Sequence, residues 1–405
     1  MQELISIFPE VQNYSVLQGF QKNQHIGVSG AGNFASKSFI LADILRSAEE
    51  RPILWIVNDA EEREAAAKCC EEWFSPHREV LRLDISKDDS RKGKMQALYC
   101  LKSFLENDNK IIVASYTELM SHVPDIDVLK KEIIKIKLGE KLSAVETFEK
   151  FIAKGYEVSS DEYLERGTYL GKGDTLNIFP PNSEYPVRVE FEYDSISAIY
   201  EYSQDTGDVK RHLKTLSIYP LNIEFSTQSF FQYVEDKALV VEDELEVTDE
   251  CYEAWDEIFA KKRQSVKHMA FTSFPEDAGN HSSLRYMSVL KYQNMIDLAT
   301  DMKEKSLTGW KMCFFTKHAT DIKALLLDRK VIFKEGAEAF RDDEKYGARI
   351  VQLEKEEVLP DSFQSSDRKI LIVSDKEIAN LHEEKQKKIS QRVFWEFLTS
   401  LKPND

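Results

Sequence analysis

Two runs of alternating apolar and polar residues fill positions 166–194 of the chain. Alternation at period two is typical of a β-strand with one buried face. Residues 180–183, Pro-Pro-Asn-Ser, interrupt the first run and turn the chain. In the second run, Arg188 and Glu190 share one face while apolar side chains occupy the other. The stretch therefore predicts a hairpin-like pair of strands with a charged outer face.

Strand and helix patterns alternate on both sides of this stretch. The predicted strands cover residues 24–28, 52–57, 80–83, 110–114, 133–138, 237–241, 266–271, 310–315, 350–353 and 369–373. The predicted helices cover residues 1–24, 39–45, 60–74, 95–105, 249–262, 288–305 and 319–328. Several strands are short continuous apolar runs, as in sheets that are covered on both faces. The alternation predicts a parallel sheet wrapped by helices.

The chain is acidic, with 54 basic and 71 acidic residues among 405 and a net charge of −17. Such a chain repels the phosphate backbone, which disfavours general nucleic-acid binding. Five cysteines without a C-x-x-C pair indicate free thiols in a reducing compartment and argue against a zinc site; they are Cys69, Cys70, Cys100, Cys251 and Cys313. No signal peptide or spanning apolar run is present, so we expect a cytoplasmic protein without a membrane partner.

A glycine-rich turn follows the first predicted strand and precedes a helix. Gly27, Gly30 and Gly32 stand in the frame of a phosphate-binding loop. That loop requires a lysine for phosphate charge and a hydroxyl for magnesium, but Asn33 and Phe34 fill these two positions. The sequence therefore predicts a degenerate loop that does not hydrolyse ATP, with no catalytic residue, metal or cofactor.

Two other segments offer alternatives. The Lys37-Ser38 pair would serve as the motif's final residues only if Ala31 and Ser36 replaced its glycines. Residues 242–244, Glu-Asp-Glu, follow a predicted strand and could hold magnesium through a carboxylate. An acidic helix start is the favoured interpretation of residues 242–244, since the helix dipole stabilises carboxylates there.

Residues 166–194 resemble the signature of domain 2 of the UvrB family, which also occurs in the N-terminal region of the transcription-repair coupling factor Mfd. The order α/β, β-rich, α/β is similar to domains 1a, 2 and 1b of those proteins across essentially the whole chain. The resemblance implies a degenerate P-loop, RecA-like parallel sheet built from two chain segments, with an inserted β-rich α+β domain. The implied domains are residues 1–138, 139–221 and 222–405. The lost loop lysine makes the chain more similar to Mfd than to UvrB.

The resemblance also implies a partner, the damage-recognition protein UvrA, which docks on domain 2. By position in the motif, Arg188 and Lys172 are implied contacts, and Glu192 stands where the family has a second phenylalanine. Arg166 adds a third positive charge to the stretch. An arginine on a strand face suits bidentate pairing with a carboxylate of the partner. The alternative is a solvated face whose charges pair within the sheet.

Three functions follow as hypotheses. The first is a non-catalytic UvrA-binding module that recruits nucleotide excision repair to stalled RNA polymerase, with polymerase and DNA contacted only by domains outside this chain. In that family the full-length protein is an ATP-dependent DNA translocase. The second is a UvrB-like ATPase and DNA helicase subunit with a divergent loop, and the third is a regulator that competes for UvrA. A fragment of a larger protein and a truncated stand-alone relative both remain possible.

Overall fold

The structure is a computed structural model. It describes residues 4–8, 25–45, 51–74, 78–84, 90–106, 109–225, 229–234, 238–245, 255, 257, 259, 260, 262–274, 280–341, 344, 346–354 and 360–378. The chain forms two compact units. The first unit comprises Met1–Glu49, Ala65–Glu79 and Phe271–Asp405, and the second comprises Glu50–Glu64 and Val80–Ala270.

The helices and strands alternate along much of the described chain. The helices are α1 (Phe34–Ile44), α2 (Ala60–Phe74), α3 (Arg91–Leu105), α4 (Tyr116–Leu119), α5 (Ile126–Glu132), α6 (Ala144–Ala153), α7 (Met295–Leu307) and α8 (Ala319–Asp328). The strands are β1 (His25–Ser29), β2 (Ile53–Val57), β3 (Val80–Arg82), β4 (Ile111–Ser115), β5 (Ile134–Lys137), β6 (Glu157–Val158), β7 (Thr168–Lys172), β8 (Thr175–Ile178), β9 (Val187–Glu192), β10 (Ser195–Tyr202), β11 (Val209–His212), β12 (Thr215–Ile218), β13 (Leu239–Asp243), β14 (Lys267–Phe271), β15 (His281–Ser283), β16 (Tyr286–Ser288), β17 (Lys311–Thr316), β18 (Phe333–Glu335), β19 (Gly347–Gln352), β20 (Phe363–Ser365) and β21 (Ile370–Ser374). Within the described residues, every helix is too short or too polar to cross a lipid bilayer.

The second unit contains neighbouring strands in the order β14-β13-β2-β4-β3. The pairs β13–β2, β2–β4 and β3–β4 are parallel. Every residue of β2, β4 and β13 is buried, as a parallel sheet covered on both faces requires. The predicted α/β class with a parallel sheet is confirmed.

A β-rich part of the second unit carries a six-stranded sheet in the order β11-β10-β9-β8-β7-β6. Beside it, β5 and β12 form an antiparallel pair. The prediction of two strands over residues 166–194 is wrong, because this stretch holds three strands, β7, β8 and β9. Gly173 adopts a φ of 62° and closes a tight turn between β7 and β8, which splits the first predicted run into two strands.

The first unit holds a second six-stranded sheet in the order β16-β20-β21-β17-β19-β18. Strands β21, β17, β19 and β18 are parallel to one another, whereas β16 pairs antiparallel with β20, and β20 antiparallel with β21. Apolar residues of β17 and β21 pack against α7 and α8, with Phe314, Leu371 and Leu326 almost fully buried. In the same unit, β1 and β15 form a parallel pair.

Three helix predictions need comment. The predicted helix over residues 288–305 starts too early, since Ser288 ends β16 and the helix begins at Met295. Asn294 accepts backbone hydrogen bonds from residues 296 and 297 and caps that helix. Apart from a short 3-10 helix, Leu4–Ile7, and scattered positions after residue 254, the predicted helices over 1–24 and 249–262 lie outside the described residues.

Candidate functional site

One row of side chains crosses the outer face of the β-rich sheet. Strand pairing places Leu170 opposite Asn177, Asn177 opposite Arg188, Arg188 opposite Tyr200, and Tyr200 opposite His212. Cross-strand partners in register point to the same side of a sheet. None of the five is fully buried, while Val189 and Phe191 on the opposite face belong to the domain core. We call these five residues the outer row.

Arg188 is fixed in the middle of the outer row. Its Nε donates to Oδ1 of Asn177 at 2.7 Å, and its guanidinium lies 4.8 Å from the ring centroid of Tyr202 and 6.0 Å from that of Tyr200. Tyr200 in turn donates to Glu190 at 2.6 Å. Burial raises the pKa of Tyr200, and the hydrogen bond to Glu190 adds to the rise while Arg188 opposes it. Cation–π contact therefore holds the planar guanidinium in one orientation at the surface.

Lys172 and Glu192 lie near the outer row on the same face. Lys172 lies opposite Thr175, and Thr175 lies opposite Glu190, in a row that runs beside the outer row on the same face. The Lys172 ammonium lies 2.7 Å from Glu162, with both groups well exposed. The hydrogen bond from Lys172, together with its charge, holds the pKa of Glu162 below its usual value. An exposed pair of this kind opens easily, so Lys172 remains accessible to a partner.

Arg166 has a different setting. Its guanidinium lies between the rings of Tyr99 and Phe179, 5.0 and 5.1 Å from their centroids, and donates to the carbonyl of Pro181 at 3.4 Å. These contacts are separate from those of Arg188. The structure therefore brings Lys172, Arg188 and Glu192 to one face, and places Arg166 in packing between two aromatic rings.

The glycine loop lies between β1 and α1, as predicted. Gly30 and Gly32 have φ values of 66° and 79°, which glycine adopts without strain. The backbone N–H groups of Leu284 and Tyr286 donate to the carbonyls of Ser29 and Gly30 at 2.8 and 2.9 Å. A Cβ on Gly30 would lie 2.0 Å from the carbonyl oxygen of Leu284. In this structure, close approach of the segment around Leu284 is sufficient reason for glycine at position 30.

Asn33, in place of the motif lysine, caps α1. Its Oδ1 accepts from the backbone N–H of Ser36 at 3.0 Å, and its Nδ2 donates to the carbonyl of Ser362 at 3.2 Å. Lys37 is one turn further along, buried, with its ammonium 5.6 Å from the ring centroids of Phe34 and Phe271. Asn33 thus caps the helix that follows the loop, and Lys37 packs against aromatic rings.

The acidic residues 242–244 lie at the end of β13. Glu242 and Asp243 belong to the strand, so the expected helix start does not describe them. Glu242 has three polar neighbours, namely Trp255 Nε1 at 3.2 Å, Arg263 at 3.3 Å and His268 Nε2 at 2.6 Å. Burial raises the pKa of Glu242, but the hydrogen bond and charge of His268, with Arg263, bring it below its ordinary value. The Asp243 carboxylate accepts from Trp55 Nε1 at 3.1 Å.

In the described part of the chain, no group of three or more His, Cys, Asp or Glu side chains is placed to hold a metal ion. Sequence reasoning missed Asn177, Tyr200 and Tyr202, which orient Arg188. Alternation in residues 199–202 is the available signal, because it puts both tyrosines on the face opposite Ile199. The bulge between Ile196 and Ala198, which the sequence pattern does not announce, shifts the register upstream of these residues.

Comparison with known proteins shows what the chain is similar to in sequence. Residues 134–223 match the family model of the UvrB interaction domain, and this range contains the whole outer row. The chain is 29% identical over 233 residues to UvrABC system protein B of Clostridium botulinum (strain 657 / Type Ba4), covering 51% of this chain and 34% of the relative. It is 26% identical to the protein of that name from Fervidobacterium nodosum, and the match covers 52% of this chain and 34% of the relative. It is 28% identical to the protein of that name from Clostridium acetobutylicum, and the match covers 57% of this chain and 37% of the relative.

Residues 134–223 are thus similar to the UvrB interaction domain, and about half of the chain is similar to UvrABC system protein B. The chain spans about a third of the length of these relatives. The similarity to Mfd, and the domain boundaries at residues 138/139 and 221/222, stay predictions.

Proposed function

We propose that this chain is a docking module for UvrA in nucleotide excision repair, and specifically the UvrA-binding part of a cytoplasmic transcription-repair coupling factor. In that role it recruits repair proteins to stalled RNA polymerase, while other domains contact the polymerase and DNA. One observation carries the proposal: the segment that matches the UvrB interaction domain, residues 134–223, holds half-buried Arg188 on the outer face of its sheet through Asn177 and Tyr202.

The chemistry of this face suits a protein partner with carboxylates. A guanidinium held by the ring of Tyr202 and by Asn177 loses little side-chain entropy when it forms a bidentate pair. Its half-buried position also lowers the local dielectric constant, which strengthens such a pair. Arginine and tyrosine are the side chains that most often dominate binding energy at protein interfaces.

Asn33 and Phe34 support a module without ATPase activity. Neither side chain supplies the charge or the hydroxyl that a phosphate loop uses. Asn33 instead stabilises α1, and Lys37 is buried between two aromatic rings. We infer that the glycine loop is retained for packing within the first unit.

The proposal is tested by charge reversal at Arg188. We expect Arg188→Glu to weaken binding of the purified cognate UvrA by about 30-fold or more, on the order of 2 kcal/mol, because it places a negative charge against the carboxylate of the partner. Calorimetric titration measures the change. Arg285→Glu is the matched control, since Arg285 is an exposed arginine in the first unit. Equal affinities for wild type and Arg188→Glu would refute the site.

A further inference from the structure

Two tight turns lie side by side at one end of the β-rich sheet. The first joins β7 to β8 through Gly173 and Asp174, and the second joins β9 to β10 through Tyr193 and Asp194. The N–H of Phe191 donates to the carbonyl of Asp174 at 2.9 Å, so the two tips are neighbours. Both turns need a positive φ at their first residue, 62° at Gly173 and 57° at Tyr193.

Glycine is the usual residue for such a position, and a tyrosine there is strained. With positive φ, the Cβ of an L-residue crowds the adjacent carbonyl, which glycine avoids. The surroundings hold the strained turn in place: the Leu142 N–H donates to the carbonyl of Asp194 at 3.0 Å, and Ser195 Oγ donates to that of Glu192 at 3.0 Å. The two turns thus have the same positive φ at their first residue, which is glycine in one turn and tyrosine in the other.

Packing within the chain does not offset this cost, because the Tyr193 residue is 96% exposed. A ring left in water gains nothing from the hydrophobic effect until another surface covers it. Its two neighbours, Glu192 and Asp194, are exposed carboxylates. The tip therefore combines one large aromatic ring with two negative charges.

We propose that Tyr193 is an anchor for the protein that docks on the outer row, and that this partner receives the ring in an apolar pocket with a basic rim. The inference rests on the proposed function. It adds a second contact, at Tyr193, and states which chemical groups the partner places there. Continuity of the surface supports it, since Glu192 lies on the same strand and face as Arg188, and Lys172 flanks the neighbouring turn. Charge complementarity to Glu192 and Asp194 requires cations around the pocket.

The test compares three variants of the full chain against purified cognate UvrA. Tyr193→Gly removes the ring and relieves the backbone, and Tyr193→Asn removes the ring but keeps a residue that tolerates positive φ. Tyr193→Phe keeps the ring. We expect the first two to weaken binding by about tenfold or more while the melting temperature does not fall, and Tyr193→Phe to bind nearly as wild type. Tyr346→Ala, at an exposed tyrosine in the first unit, is the control.

Weaker binding without a lower melting temperature distinguishes an anchor from a structural residue, because loss of a structural residue lowers the melting temperature. If Tyr193→Gly binds as wild type while Arg188→Glu loses affinity, the anchor is refuted and the docking face stands. If wild type does not bind UvrA, both proposals fail. Raising the salt concentration is expected to weaken wild-type binding and to leave the Tyr193→Phe to wild-type ratio unchanged.

Discussion

Glu72 in α2 is a carboxylate in the first unit that lies away from water. Its oxygens are buried, and the neighbouring Asp361 accepts hydrogen bonds from Lys376 Nζ at 2.5 Å and from the Cys69 thiol at 3.9 Å. Burial raises the pKa of Glu72 from 4.5 to about 7, and the charge of Asp361 contributes to the rise while Lys376 and Lys68 oppose it. This residue should be protonated in the folded chain near pH 6.

The raised pKa of Glu72 predicts a stability that falls as pH rises. Between pH 4.5 and about 7 the folded state binds more protons at this carboxyl than the unfolded state, so the free energy of unfolding decreases through that window. Glu72→Gln stays neutral at both pH values. Between pH 4.5 and pH 8, its free energy of unfolding should therefore rise relative to that of wild type by on the order of 2 kcal/mol. Urea denaturation at both pH values measures this, with Glu71→Gln as the exposed control. Parallel pH profiles for Glu72→Gln and wild type would contradict it.

Elements with strong patterns could be predicted from the sequence. The bounds of α2 and α8 agree with the predicted helices over 60–74 and 319–328, because amphipathic runs of this length have few alternatives. Alternation likewise placed Arg188 and Glu190 on one face. Three-residue strands such as β15, His-Ser-Ser, carry no periodic signal and were missed.

Long-range packing was equally inaccessible from sequence. The rings around Arg166 come from Tyr99 and Phe179, and the segment against Gly30 lies some 250 residues later, so local patterns hold no trace of either contact. The sequence does carry a usable signal at Tyr193. A two-residue connection between strands requires positive φ, which marks any bulky residue there as unusual.

The cap of α1 offers a test of what Asn33 does. Asn33→Lys, which returns the motif's lysine, should lower the free energy of unfolding by about 1 kcal/mol because it removes the side-chain acceptor for the Ser36 N–H. Asn33→Asp keeps this acceptor but, like Asn33→Lys, loses the Nδ2 donor to the Ser362 carbonyl, so its stability should lie between those of wild type and Asn33→Lys. Chemical denaturation compares the two. Equal stability of Asn33→Lys and Asn33→Asp would show that the cap contributes little.

The acidic chain combines α/β segments with a β-rich region, and residues 134–223 match the UvrB interaction domain. A glycine turn joins β1 to α1, and the polar side chains beside it cap and pack that helix. At net charge −17 the chain also repels polyanions. Docking of another protein is the activity that this combination favours.

Magnesium-ATP turnover distinguishes this proposal from a UvrB-like ATPase. We expect the full chain to release no phosphate above a protein-free blank, since Asn33 and Phe34 supply neither charge nor hydroxyl to the transferred group. A UvrB protein with an intact lysine-threonine loop is the positive control. Turnover that disappears on substitution of Lys37 would instead favour the ATPase.

The pairing of β5 with β12 has a consequence for how such proteins arise. Ile134 lies opposite Ile218, so the polypeptide enters and leaves the β-rich region through adjacent antiparallel strands, with Cα atoms about 5 Å apart. A segment with neighbouring ends can be spliced into a surface loop of an unrelated host without forcing the host's own ends apart. A single genetic transposition of this segment would therefore carry the complete β-rich sheet into a new protein.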